Sequence, residues 1–176
     1  MSSTRRHEAE PSGFALPYAK GKGTFRVYLA AGLAVLFGAI ALETGNEIAL
    51  VVTVGFLLAT YYSYPLIERE RARIGANEYG VFIEGFGIVA WRSIAGIRLA
   101  TRFVRSIAIT ELEIELNRPI RSAILADWRR LPVWRLLMRL PWRMPDDRTI
   151  LVDLEPFTDE PEQLLAEFVR RRSYYG

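Results

Sequence analysis

The segments FRVYLAAGLAVLFGAIAL (residues 25–42), ETGNE (43–47) and IALVVTVGFLLATYYSYPLI (48–67) decide the architecture of this chain. Across all three, only Arg26, Glu43 and Glu47 carry charge. At 1.5 Å per helical residue the two apolar segments reach about 27 and 30 Å, the hydrocarbon thickness of a bilayer. The five polar residues between them contain Gly45 and Asn46, which suit a tight reversal, so the segments are expected to form an antiparallel helical hairpin. A cleaved signal peptide is a poor alternative, because the polar leader is long and a second span follows at once. Two core helices of a water-soluble fold would seldom carry so many uncharged residues.

The basic residues set an expected orientation. Arg5, Arg6, Lys20, Lys22 and Arg26 precede or open the first span, none lies in the turn, and Arg69, Arg71 and Arg73 follow the second. The positive-inside rule then places both termini in the cytoplasm and the turn outside. Phe25, Tyr28, Tyr61, Tyr62 and Tyr64 gather at the same boundary, where amphipathic rings favour the headgroup layer. Neither span has an internal ionisable side chain, which argues for an anchor and against an ion path. Ala30, Ala34 and Gly38 recur every four residues, as do Gly55 and Ala59, a spacing that allows close helix packing within the chain or in a homo-oligomer.

The leader, residues 1–24, is polar and expected to be disordered, and it holds the only histidine, His7. The 176-residue chain has no cysteine, which removes disulfides, thiolate nucleophiles and most soft-metal sites. No phosphate loop, EF-hand or complete dinucleotide fingerprint is present. The reading is therefore of a chain with no catalytic residue, metal or cofactor. The alternative is an enzyme using acidic residues on a membrane-embedded substrate. A net charge of +3 is too small to imply nucleic-acid binding.

Residues 68–176 carry the signs of a small α+β domain. Residues 81–83 and 88–91 are short β-formers around Glu84-Gly85-Phe86-Gly87, a hairpin turn, and residues 94–101 and 107–116 continue as strands. In the last of these, Glu111, Glu113 and Glu115 alternate with Leu112, Ile114 and Leu116, predicting a solvated face of carboxylates that arginines of a neighbouring strand could pair, in preference to a metal or acid–base site. Ile107 and Ile109 have the opposite parity, so a bulge near Thr110 is expected. Residues 148–154 form a final strand. A helix follows from Asp159, with Glu162 at capping-box spacing, an apolar stripe of Leu164, Leu165, Phe168 and Val169, and a close at Arg170-Arg171-Arg172.

Glu78-Tyr79-Gly80-Val81 and Trp91-Arg92-Ser93-Ile94-Ala95-Gly96-Ile97, with the closing helix and the anchor, resemble the pleckstrin-homology-like (PH-like) domains of small bacterial membrane proteins. The resemblance covers residues 67–172 and the hairpin. It implies a bent antiparallel sheet or partly open barrel, one end plugged by the C-terminal helix, and brings no catalytic residues.

One stretch departs from that pattern. Between Arg118 and Arg148 eight arginines face three aspartates, a net charge of +5, with Trp128, Trp134 and Trp142 interleaved. Arg135, Arg139 and Arg143 recur every fourth residue and would share a helical face, in a helix limited to about two turns by Pro132 and Pro141. Residues 118–147 are thus a basic aromatic insert whose Arg129, Arg130, Trp134, Arg135, Arg139, Trp142 and Arg143 would meet lipid headgroups or a protein partner. The competing reading is an amphipathic segment covering the sheet. The expected function is a membrane-anchored binding or scaffold module.

Overall fold

The computed structural model describes residues 13–19, 21, 23–68, 71–126, 132–157 and 160–176. Helices α1 (Thr24–Thr44) and α2 (Glu47–Ser63) form the hairpin, α2 running on through a 3-10 turn, Tyr64–Leu66. The reversal is built from the two residues suited to it. Gly45 adopts φ 65°, in the left-handed region, and its N–H donates to the Ala41 carbonyl at 2.9 Å, closing α1. The Asn46 side-chain oxygen accepts from the N–H groups of Ile48 (2.9 Å) and Ala49 (3.2 Å), opening α2.

Both helices are long and apolar enough to cross a membrane, and only 11% of each apolar window is buried. That exposure separates them from the core helices of a soluble protein, whose apolar faces are covered. Where they touch, Phe37 stacks on Phe56 at 5.9 Å, Ala34 is buried, and Gly38 lies against the Thr53 methyl. Ala34 and Gly38 of the small-residue stripe therefore serve the intrachain contact. Gly55 and Ala59 do not: both are exposed.

The rest is α+β, with two antiparallel sheets that do not close into a barrel. The first sheet has the order β1 (Phe14–Leu16), β2 (Ile74–Ala76), β3 (Gly80–Ile83), β4 (Gly87–Ala90), β7 (Ile124–Ala126). The second has the order β5 (Ile94–Val104), β6 (Ile107–Leu116), β9 (Thr149–Asp153), β8 (Trp142–Arg143). Their apolar faces meet in one core containing Ile74, Val81, Ile83 and Val89 from the first and Ile97, Leu112, Ile114, Ile150 and Val152 from the second. Helix α5 (Pro161–Tyr175) packs on β5 and β6 and inserts Phe168 and Leu164 into this core.

Gly80 shows why the polar-x-Gly-apolar motif needs its glycine. A Cβ there would lie 2.0 Å from the Val89 carbonyl oxygen, inside contact distance. Trp91 is buried, and its indole N–H donates to the Asn77 carbonyl at 2.8 Å. Ile94 and Ile97 are three apart yet both face the core, because the β5–β6 register shifts between Ile94 and Gly96.

Several expectations are corrected. The bulge belongs at Ile94–Gly96 and not near Thr110, where pairing runs one-for-one from Gly96–Glu115 to Val104–Ile107. Ile107 needs no change of phase, since it never reaches the core and is 68% exposed. The described part of the leader is not the disordered chain expected of it. β1 pairs with β2, and Tyr18 is buried, its ring tilted against Phe157 with centroids 5.0 Å apart. Helix α5 begins at Pro161, and the expected cap, Asp159, lies outside the described residues. The break in strand pattern after Asn117 hides a helical turn, α3 (Ile120–Ala123), and β7, which pairs with β4.

Candidate interfacial site at the base of the hairpin

The two sheets share an end that faces the helical hairpin. There lie the Glu84–Phe86 turn after β3, Trp142 of β8, Asp153 at the end of β9, and the chain leaving α2. Four elements bring ionisable side chains together in this region. Arg73, just before β2, is fully buried. It is paired with Glu84 and also with Glu68 at 2.6 Å, and its guanidinium stacks over the Tyr18 ring 5.1 Å from the centroid. Burial opposes the charge on Arg73, but the hydrogen bonds and field of Glu84 and Glu68 outweigh it and raise its pKa above the ordinary arginine value. The same burial pushes the Tyr18 hydroxyl up to about 12.

The insert enters this cluster through Arg135. Helix α4 (Val133–Leu136) is a single turn, so the two-turn helix with Arg135, Arg139 and Arg143 on one face does not form. Pro132 starts the turn, and the chain leaves it at Leu137 for an irregular path to β8. Arg135 is 1% exposed and points inward, 3.4 Å from both carboxylate oxygens of Glu84 and 3.7 Å from Glu68. Arg71 approaches Glu84 at 3.5 Å. Three guanidinium groups thus surround two carboxylates. Trp142 closes the cluster from above: its indole N–H donates to the Glu84 carbonyl at 2.6 Å and its ring lies 4.1 Å from Phe86.

Arg139 and Arg143 are satisfied separately. Arg139 pairs with Asp153 at 2.9 Å, and Arg143 with Glu111 at 2.9 Å, while Arg102 reaches Glu111 from the other side at 3.1 Å. Burial alone would raise the Glu111 pKa, but hydrogen bonds from Arg143 and Arg102 hold it below the usual glutamate range. Glu113 is bridged by Arg98 through two hydrogen bonds, at 2.6 and 3.0 Å. Glu111 and Glu113 are therefore paired with arginines, from the adjacent β5 and, for Glu111, also from β8, but the face is not solvated throughout: Glu111 is buried, whereas Glu115 is exposed.

With Arg135 turned inward to Glu84, the outer surface of the α4 turn is apolar. Val133 (76%), Trp134 (55%), Leu136 and Leu137 (66%) are exposed together. Two bonds tie this patch to the end of α2: the Tyr61 hydroxyl donates to the Trp134 carbonyl at 2.5 Å, and the Arg139 N–H to the Tyr62 carbonyl at 2.9 Å. Beside it opens a cleft of about 410 Å³ lined by Phe25, Arg26, Leu66, Arg139 and Glu155. Arg129 and Arg130 lie outside the described residues.

Of the expected contact residues, the structure leaves Trp134 on the surface, Arg139 and Arg143 partly so, and withdraws Arg135 and half of Trp142. Glu68, Arg73, Glu84 and Tyr18 were not anticipated, for they are up to 66 residues from one another and 51 to 117 residues from Arg135 in sequence, and no local pattern joins them. Among the described residues, no group of three or more acidic or histidine side chains could hold a metal ion. Comparison with protein-family models, with curated proteins and with solved structures finds no match.

Proposed function

We propose that this chain is a membrane-anchored binding module of PH-like type, held by two spans at the cytoplasmic face of a bacterial inner membrane, with its insert docked on the lipid surface. The observation that carries the reading is the exposed patch Val133, Trp134, Leu136 and Leu137, bonded to the last turn of a helix long enough to cross a bilayer. An apolar surface fixed at that level lies where hydrocarbon meets headgroups, and burial there removes it from water at roughly 25 cal/mol per Å². The tyrosines Tyr61, Tyr62 and Tyr64, all exposed, occupy the same level.

Lipid contact in this reading differs from the simplest version of an amphipathic arginine helix. Trp134 and its aliphatic neighbours enter the interface, whereas Arg135 braces the patch from below through Glu84. Arg26, Arg139 and Arg143 keep enough exposure to meet phosphates at the rim. Orientation rests on the five basic residues before or opening the first span and their absence from the turn. The pairing of β1 with β2, one before α1 and one after α2, supports both ends of the hairpin lying on one side.

The test uses the full chain in vesicles containing phosphatidylglycerol, with a fluorophore on Leu137→Cys of this cysteine-free protein. Quenching by lipid-borne doxyl groups and protection from aqueous iodide are expected. A probe open to iodide and indifferent to lipid quenchers would reject lipid docking and leave a protein partner as the occupant of the patch.

A further inference from the structure

The two sheets have a common orientation with respect to the helical hairpin. Their far ends hold Trp91, Ile94, Leu116 and Thr149; their near ends hold Glu84, Trp142, Asp153 and Thr110. A chain of bonds fixes the near end. The Leu154 N–H donates to the Thr110 carbonyl at 3.2 Å, Asp153 pairs with Arg139, and Arg139 bonds to Tyr62 at the end of α2.

Strand β9 accompanies β6 only as far as the Glu111–Asp153 pair. The β5–β6 ladder continues beyond it through Thr101–Thr110, Arg102–Ile109, Phe103–Ala108 and Val104–Ile107. Four further pairs at about 3.4 Å per residue make a two-stranded arm about 14 Å long, overshooting the near end on the side of the spans. Its tip is apolar and, among the described residues, uncovered. Phe103 is 71% and Ile107 68% exposed, and Val104 lies between them.

Cross-strand partners share a face, so Phe103 and Ala108 lie on one side of the arm and Val104 and Ile107 on the other. A protein partner seated on one face would leave the opposite face in water. A lipid surface surrounds the tip and covers both. Arg105, at the turn with φ 58°, adds an exposed cation at the end of the arm, where a long stem lets its guanidinium turn back to phosphate. The unpaired backbone edges of a lone hairpin restrict it to the headgroup layer, since hydrocarbon cannot satisfy them.

The geometry points to the β5–β6 tip, Phe103 to Ile107, as a second lipid-contacting element that dips into the headgroup layer beside the spans. This rests on the membrane reading above. Together with the patch at Trp134 it would hold the domain at two points and set its tilt on the bilayer.

The experiment places one fluorophore at Ser106→Cys in the full chain, reconstituted in vesicles of phosphatidylethanolamine and phosphatidylglycerol. Ser122→Cys, exposed at the far end in α3, is the control. Headgroup-level doxyl lipid should quench the Ser106 probe about twofold more than the Ser122 probe, and iodide should quench it less. Equal behaviour of the two probes overturns the inference. The Leu137 probe in the same vesicles separates the two readings: lipid quenching at Leu137 alone rejects the arm and keeps the docked patch, whereas quenching at neither rejects both.

Discussion

Glu84 is the residue on which the base of the domain converges, because it answers Arg73 and Arg135 inside the protein and its own carbonyl holds Trp142. Removing its charge leaves two buried guanidinium groups with only half-exposed Glu68 to neutralise them. Glu84→Gln is therefore expected to cost about 3–5 kcal/mol, measured by chemical unfolding in detergent, while Glu68→Gln costs distinctly less. Glu111 carries a pH dependence. Its pKa is held below the ordinary 4.5 by Arg143 and Arg102, so its contribution to stability is complete above that value and is lost as pH falls through the lower folded one. The gap in unfolding midpoint between the natural chain and Glu111→Gln should shrink as pH is lowered from 6 to 3, the acid range below the usual glutamate pKa. Tyr18 behaves oppositely. Its hydroxyl, raised to about 12, keeps its proton in the folded state while an unfolded tyrosine near 10 loses it. Its share of stability is full below pH 10 and fades as pH climbs toward 12, and Tyr18→Phe should remove a late-ionising tyrosine from the ultraviolet titration.

At the scale of elements, the reversal between the helices and the glycine of β3 are the points of least tolerance. Asn46→Ala removes the acceptor for two N–H groups at the start of α2 and should lower stability by about 1 kcal/mol. Gly80→Ala forces a methyl group against the Val89 carbonyl and should cost about 1–3 kcal/mol, or separate β3 from β4. The change is read by thermal unfolding. Gly80 was visible as part of a motif. What made it obligatory, a carbonyl oxygen of the next strand, was not, because strand neighbours are chosen by the fold.

For the whole molecule, the decisive measurement is topology. Single cysteines at Thr44 and Ser173, probed in intact cells with an impermeant thiol reagent, should react at Thr44 and stay silent at Ser173. The reverse pattern would turn the domain outward and remove the cytoplasmic reading with it. The pairing of β1, before α1, with β2, after α2, and the bonds from Tyr61 and Tyr62 to the insert make the helical hairpin and the domain parts of one folded unit. Movement of the base relative to the hairpin would then have to strain the Arg139–Tyr62 and Tyr61–Trp134 bonds.

The amino-acid sequence by itself determined the helical hairpin, its turn at Gly45 and Asn46, the strands over residues 81–83, 88–90 and 107–116, and the closing helix. Each is written in a local pattern: uncharged length, a turn residue, alternation, or a stripe. It also foretold arginine partners for Glu111 and Glu113, because period-two alternation of charge has few other uses in a sheet, but not the burial of Glu111. Tertiary structure alone decided which way the insert faces. A spacing of four reads as one helical face only if a helix exists, and Pro132, Pro141 and the pull of Glu84 on Arg135 reduce it to one turn. The same holds for β1, for Tyr18 and for the exposed β5–β6 tip, since a side chain's burial depends on what packs above it and not on its neighbours along the chain.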